Sequence, residues 1–417
     1  MGGRARESDH PGIGRKLVRV SQNVYADHAA TTNVRPEVVE AVAAQLSVVG
    51  NASSLHSAGR AARRVVEEAR EQIAEAMGAA PSEVVFTSGG TESNNLAVKG
   101  SFWHATESDP QRTTLIIGTT EHHALLDPVE FLVDRGADVV WLEVDREAVP
   151  SPDGLRALLE QHAESTALVS AMWVNNEVGA IAPVPELASV AREFGVRFHT
   201  DAVQAVGHVP VDFASSGVDM LSLSGHKFGA PQGVGALLAR RDVKLTPLTH
   251  GGGQERQLRS GTLDVANVRG LAVALTAAVA ELDVEAKRLA GLRDRLVEGA
   301  LSLDLGIAVS GPYAPGDTDR RLAGNVHLRV PDCDGDSLLY LLDAAGIECS
   351  TGSACQAGVP QPSHVLLAMG FPEAEARGAL RLTFGHTSTD ADVDAILASL
   401  PAAVDRARRA HHSGRVR

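Results

Sequence analysis

Two hydrophobic periods alternate along most of the chain. Between about Pro36 and Leu275, segments with apolar residues three and four apart are separated by short β-branched runs. A parallel sheet covered by helices on both faces produces this pattern. The helical part is clear from Ser57 to Met77, where Ala62, Val65, Val66, Ala69, Ile73 and Met77 share a face and Gly78 ends the helix. Strands are predicted at 84–87, 114–118, 139–144, 167–173, 196–200, 220–223 and 234–239, with helices between most of them, notably at 125–135, 154–162 and 185–194. The reading is therefore an α/β fold with a mostly parallel seven-stranded sheet.

After a long helix at 271–297 the pattern becomes α+β, with strands expected at 325–330 and 381–384 and helices at 335–345, 363–369 and 390–407. The division is thus a leader at 1–22, a large α/β domain at 23–275 and a smaller α+β domain at 276–417 that ends in a basic, solvated tail from about residue 406. A chain of 417 residues with 44% apolar content holds two or three such domains. The leader lacks the hydrophobic segment of a signal peptide, and no other run is both long enough and free enough of charge to suit a bilayer. A formal charge of -14 argues against direct nucleic-acid binding. Three cysteines fit a reducing cytoplasm.

Ligands of open α/β sheets sit beyond the carboxyl ends of the strands, and polar residues gather at those ends here. Lys227, in Ser224-Gly225-His226-Lys227, follows an apolar strand. Desolvation there favours the neutral amine that condenses with an aldehyde, so Lys227 is a candidate Schiff-base former, with a surface loop lysine as the alternative. Ser88-Gly89-Gly90-Thr91 opens a helix after the strand 84–87, either as a plain turn or as a phosphate cradle with the Thr91 hydroxyl; Ser224 and His226 would complete the cradle. Asp201 ends another strand, as a helix cap or as a carboxylate against a pyridine nitrogen, and Gln204 follows at the distance to meet a phenolic oxygen. Glu121-His122-His123 places adjacent imidazoles on opposite sides of an extended segment. That is a poor chelate, so no metal is expected, but one ring suits stacking on a planar cofactor and moving protons. Asn175 and Asn176 offer amides at the same sheet edge. Arg381, between two leucines, is either a carboxylate fork or half of an internal ion pair. Of the cysteines, Cys333 stands between two acids, Cys349 reads as a small buried residue, and Cys355 lies in a polar loop where a reactive thiol belongs.

Taken in order, Tyr25-Ala26-Asp27-His28-Ala29-Ala30-Thr31-Thr32, Thr87-Ser88-Gly89-Gly90-Thr91-Glu92-Ser93-Asn94-Asn95, Thr120-Glu121-His122-His123, Val174-Asn175-Asn176-Glu177, Ser224-Gly225-His226-Lys227, Gly251-Gly252-Gly253-Gln254-Glu255-Arg256 and Arg259-Ser260-Gly261-Thr262 resemble the cysteine desulfurases of the NifS/IscS type, within the class V aminotransferases. The resemblance runs from about Tyr25 to Ala407 and implies a fold-type I transferase dependent on pyridoxal 5'-phosphate (PLP), with 23–35 as an arm joining the small domain. It implies Lys227 as the cofactor-linking lysine, His123 stacked on the ring, Asp201 on the pyridine nitrogen, Gln204 on the phenolic oxygen and Asn176 touching the ring. Gly90, Thr91, Ser224 and His226 would hold the phosphate, with Thr262 reaching in from the second subunit of a homodimer. Arg381, with Asn176, would bind the substrate carboxylate. L-cysteine would become L-alanine, its sulfur held as a persulfide on Cys355 and passed to an acceptor protein such as an iron–sulfur scaffold or sulfur carrier. Selenocysteine lyase, aminotransferase and a non-catalytic scaffold in sulfur-carrier assembly are the rival readings. One departure stands out: the family's Gly-Pro-Lys-Gly after the lysine is Ala230-Pro231-Gln232-Gly233 here.

Overall fold

The computed structural model describes residues 23–352 and 361–414. The chain enters through β1 (Val24–Tyr25) and then lays down seven strands of one sheet: β2 (Val84–Thr87), β3 (Thr114–Gly118), β4 (Asp138–Leu142), β5 (Thr166–Ser170), β6 (Phe198–Asp201), β7 (Met220–Ser224) and β8 (Gly235–Ala239). Their order is β2-β8-β7-β6-β5-β3-β4. All run parallel except β8, which is antiparallel to both of its neighbours. Alternate side chains go to opposite faces, as the two-residue period demands. Phe86, Ile116, Val169, Leu221, Leu223 and Leu238 enter one core, whereas Val85, Leu115, Ile117, Leu168, Met220 and Leu237 enter the other. Double burial is why these strands read as continuous apolar runs.

Strand existence follows the sequence pattern, and the ends differ where the backbone is claimed by something else. The regular strand of the run 167–173 ends at Ser170, although the Ala171 and Trp173 N–H groups still reach β6 at His199 and Asp201, and Val174 then bridges Ile181. The Val196 amide closes the preceding helix on Ala191, so β6 starts at Phe198. The helix Pro152–His162 begins at Ser151, whose hydroxyl accepts the Gly154 N–H, and Pro152 occupies the first turn. Gly78, at φ 62, ends the helix Ser57–Ala76.

A second core surrounds a three-stranded sheet of β9 (Ala308–Val309), β10 (Asn325–Arg329) and β12 (Ala379–Thr383), with β11 (Ile347–Glu348) pairing in parallel with β1. The helix Val265–Ser302 belongs to both cores: Leu271 and Leu275 pack in the first, Leu289 and Leu296 in the second. Contrary to the expectation from sequence, this helix is long and apolar enough by length and composition to cross a bilayer, but it packs against the helices Pro36–Leu46 and Ser57–Ala76. The basic stretch after Arg406 also differs from the frayed tail expected. The last helix runs to Gly414 and is docked by Arg408 on the carbonyls of Leu305 and Pro331 and by His411 beside Asp334.

Two histidines are sealed inside. His199 joins Ser170 and Ser222 across three strands, with nitrogen–oxygen distances of 2.8 and 3.0 Å, and His327 is fully buried with neither ring nitrogen partnered among the described residues. Burial lowers each to about 3. The unfolded chain takes up protons near pH 6.5 that these folded rings refuse, so stability falls as pH drops from about 6.5 toward 3. At pH 5 the loss is about 2 kcal/mol per ring. Urea midpoints measured from pH 7 to 5 are expected to fall accordingly, and His327→Leu to make the fall shallower by about 2 kcal/mol at pH 5.

Candidate active site

Five loops leave the carboxyl ends of β2, β3, β5, β6 and β7 and converge on one side of the sheet. After β2, Gly89 adopts φ 144, a conformation open to glycine, and the helix Gly90–Ser108 starts at once. A Cβ on Gly90 would stand 2.6 Å from the Val203 side chain, and one on Gly89 3.4 Å from the Ser224 hydroxyl. The loops of β2, β6 and β7 therefore meet at a glycine-floored cradle, into which a helix N-terminus directs its first-turn N–H groups. Glu92 serves the cradle from below, accepting the Ser88 N–H and pairing with Arg259 at 2.9 Å.

Asp201 is buried at the end of β6. One carboxylate oxygen accepts from Asn94 Nδ2 at 2.6 Å and the other from the Val203 N–H at 2.9 Å, a local turn in place of a helix cap. Asn94 was quoted in the sequence motif without a role; its three-residue offset from Thr91 on one helix face is the signal that would have placed it. Gln204 donates to the Ala29 carbonyl at 2.8 Å.

Lys227 is half-buried directly after β7. Its Nζ donates to the carbonyls of Ala29 and Ala30, at 2.6 and 2.8 Å, so the segment after β1 lies across it. Burial, with the Arg381 charge, lowers the amine to about 8. His226 meets Thr31 at 3.2 Å and is lowered to about 4 by burial and by Lys227. The sequence departure at Gln232 falls on an exposed turn beyond the lysine.

The two histidines after β3 separate. His122 caps the helix His123–Val133, its ring accepting the Ala124 N–H, and lies within electrostatic reach of Asp201 and Lys227. His123 turns instead to its own helix: its Nδ1 is 3.0 Å from Asp127, and its ring meets His364 edge-on at 5.6 Å. Glu121, beside them, is wholly buried. Desolvation and the nearby Asp201 push its carboxyl well above the usual range, and one oxygen accepts the Met172 N–H while the other has no partner among the described residues.

Arg381 is half of an internal ion pair, one of the two readings its sequence setting offered. It pairs with Asp27 at 2.7 Å and donates to the Asn176 carbonyl at 2.9 Å, yet its buried Nε has no partner among the described residues. Thr262 is exposed. The loop leading to it is fixed by Glu255, which pairs twice with Arg70 and accepts the Phe86 N–H. Cys333 and Cys349 are buried, and burial raises their thiols to about 11 and 12, too high for nucleophiles. Cys355 lies outside the described residues. No cluster of ligating side chains suited to a metal occurs among the described residues.

A desolvated lysine, a buried carboxylate and an anion cradle at the ends of β7, β6 and β2 fit PLP, which needs an amine, a partner for its ring nitrogen and a phosphate site. The pattern of the class-V aminotransferases matches residues 24–396. An IscS-like cysteine desulfurase of Mycobacterium tuberculosis is 57% identical over 93% of this chain and 97% of its own. Among solved structures, a NifS-like protein superposes with a TM-score of 0.83 at 35% identity over 92% of this chain and 100% of that one. A protein titled SspA in complex with cysteine gives 0.73 at 33% identity over 86% and 98%. Sequence and structure together establish a PLP-dependent enzyme that acts on L-cysteine, and the chain belongs to the class-V aminotransferase family, among its NifS/IscS-type cysteine desulfurases.

Proposed function

We propose that the five strand ends form the cofactor and substrate site of a homodimeric desulfurase that hands sulfur to a second protein. The observation carrying this reading is that Lys227, Asp201 and His122, after the carboxyl ends of β7, β6 and β3, lie within electrostatic reach of one another. Lys227 takes the covalent link to PLP, Asp201 the ring nitrogen, and Gln204 the phenolic oxygen. Gly90, Thr91, Ser224 and His226 hold the phosphate, Asn176 touches the ring, and Arg381 binds the cysteine carboxylate. Bound PLP withdraws electrons from the substrate, which makes its α-proton acidic. Lys227, with its amine near 8, then removes that proton. The Cys355 thiolate attacks the substrate sulfur. An S–S bond forms, the C–S bond breaks with its electron pair left on carbon, and protonation of that carbon yields alanine.

The sequence assigned ring stacking and proton transfer to His123; we give both to His122, since His123 pairs with Asp127. Residues 23–275 serve as the PLP-binding domain and 276–417 as the domain bearing Cys355. A second copy would cover the exposed Leu46, Val48, Val49 and Leu55 and supply Thr262. Free, buried Cys333 and Cys349 support a reducing cytoplasm, and an iron–sulfur scaffold or sulfur carrier suits the acceptor role. His122→Ala is expected to lower alanine formation about 100-fold and to shift the absorption band of the bound cofactor, whereas His123→Ala stays within about twofold of wild type. Equal losses in the two variants, or a loss only in the second, would overturn the assignment.

A further inference from the structure

Ser363 and His364 open a short helix of the smaller lobe, yet both bond to loops of the large sheet. The Ser363 hydroxyl donates to Glu177 Oε2 at 2.5 Å, and His364 Nε2 lies 3.0 Å from the Glu121 carbonyl. A carbonyl only accepts, so this nitrogen carries the proton and donates. Each contact lands one residue from a group assigned to the site. Glu121 precedes His122, and Glu177 follows Asn176, whose carbonyl takes Arg381 Nη1 at 2.9 Å.

Glu177 is braced for such a part. Its carboxyl is buried, its backbone N–H is held by Asn175 Oδ1 at 3.0 Å, and its carbonyl accepts from Asn325 at 3.0 Å. A Cβ on Gly352 would come within 3.3 Å of its side chain, so the strand-end loop is pressed from the smaller lobe on two sides. His364 is likewise fixed on two sides, by the Glu121 carbonyl and by the ring of His123.

We propose that Ser363 and His364 are positioning residues forming a two-point latch: His364 sets the turn that carries His122, and Ser363, through Glu177, sets the Asn176 carbonyl that aims Arg381. The proposal rests on the site reading above and separates two effects that a general packing defect would merge. Loss of the His364 bond acts on turnover, because the imidazole near Lys227 is displaced. Loss of the Ser363 bond acts on cysteine binding, because the guanidinium is displaced.

The test uses the full-length, cofactor-loaded enzyme. His364→Ala is expected to lower kcat about 10-fold with KM for cysteine within about twofold, and to move the pH at which the cofactor absorption band changes. His364→Gln, which keeps an N–H donor at similar reach, is expected to recover kcat to within about threefold. Ser363→Ala is expected to raise KM about 10-fold with kcat within about twofold. Melting temperatures of both alanine variants are recorded alongside. Parallel changes of kcat and KM in both, no recovery with Gln, or an unmoved absorption profile would overturn the latch. If His122→Ala is itself inert, the site reading fails instead; an essential His122 with an indifferent His364 sinks the latch alone.

Discussion

Lys227→Ala is expected to make no alanine from cysteine above background, a loss of at least about 1,000-fold, and to lack the visible band of lysine-linked cofactor. The size of the effect follows from the number of tasks on one nitrogen. It is the covalent attachment point and the base for the α-proton, and no second amine is assigned to the site. Cys355→Ser is the matched control, because it removes a different step. That variant is expected to keep the visible band and bind cysteine, while losing persulfide formation and sulfide release to a similar degree, since a hydroxyl does not replace a thiolate as the attacking group. Absorption spectra recorded before and after cysteine addition, with alanine and sulfide measured in the same samples, separate the two. Lys227→Ala protein with an unchanged spectrum would refute the linkage, and sustained desulfuration by Cys355→Ser would refute the thiol assignment.

Glu255→Ala is expected to cost about 3–5 kcal/mol of stability. The side chains of Glu255 and Arg70 are 2% and 11% exposed, and the carboxylate takes two guanidinium bonds, at 2.7 and 2.9 Å, along with the Phe86 N–H at 2.8 Å. Removing it leaves the buried guanidinium with only the half-exposed Glu67 carboxylate at 3.2 Å and the Val84 carbonyl at 2.8 Å, and strands a buried amide. The loop it holds is already under backbone strain, since Glu255, Arg256 and Gln257 have φ of 46, 60 and 65. The urea midpoint reports the loss, and Arg70→Leu with Glu255→Leu is expected to recover most of it by removing the stranded charge. A double variant no more stable than the single one would show that the loop itself, and not the unpaired guanidinium, sets the cost.

The contrast between what the chain spelled out and what it withheld has a physical basis. Six strands of the large sheet were legible because burial on both faces leaves runs such as Leu115-Ile116-Ile117 with no polar interruption, whereas the partly exposed edge strand β4 was legible from its run of Val139, Val140, Trp141 and Leu142. Lys227, Asp201 and Ser224 were legible because each directly follows or ends such a run. The antiparallel sense of β8 was not, since direction is set by the tight return after Lys227 and leaves no trace in periodicity. The choice between His122 and His123 turned on a single cap: the first ring accepts a backbone N–H and stays at the strand end, and one residue later the helix has begun. Arg70 with Glu255, and Ser363 with Glu177, are contacts between residues 185 and 186 positions apart, beyond any local pattern. The helix Val265–Ser302 has the length and composition of a membrane segment because it is shared by two cores.

That same helix, 38 residues and therefore about 57 Å from end to end, acts as a spindle on which both lobes are threaded. Near Gly179 a second tie is made, where Leu322 and Ile181 exchange backbone bonds with the opposite lobe and the buried Arg321 guanidinium is spent entirely on carbonyl and amide oxygens around Asn325. Tilting one lobe against the other would bend the spindle and tear the tie at once. The spindle and the tie together oppose a clamshell motion of the two lobes.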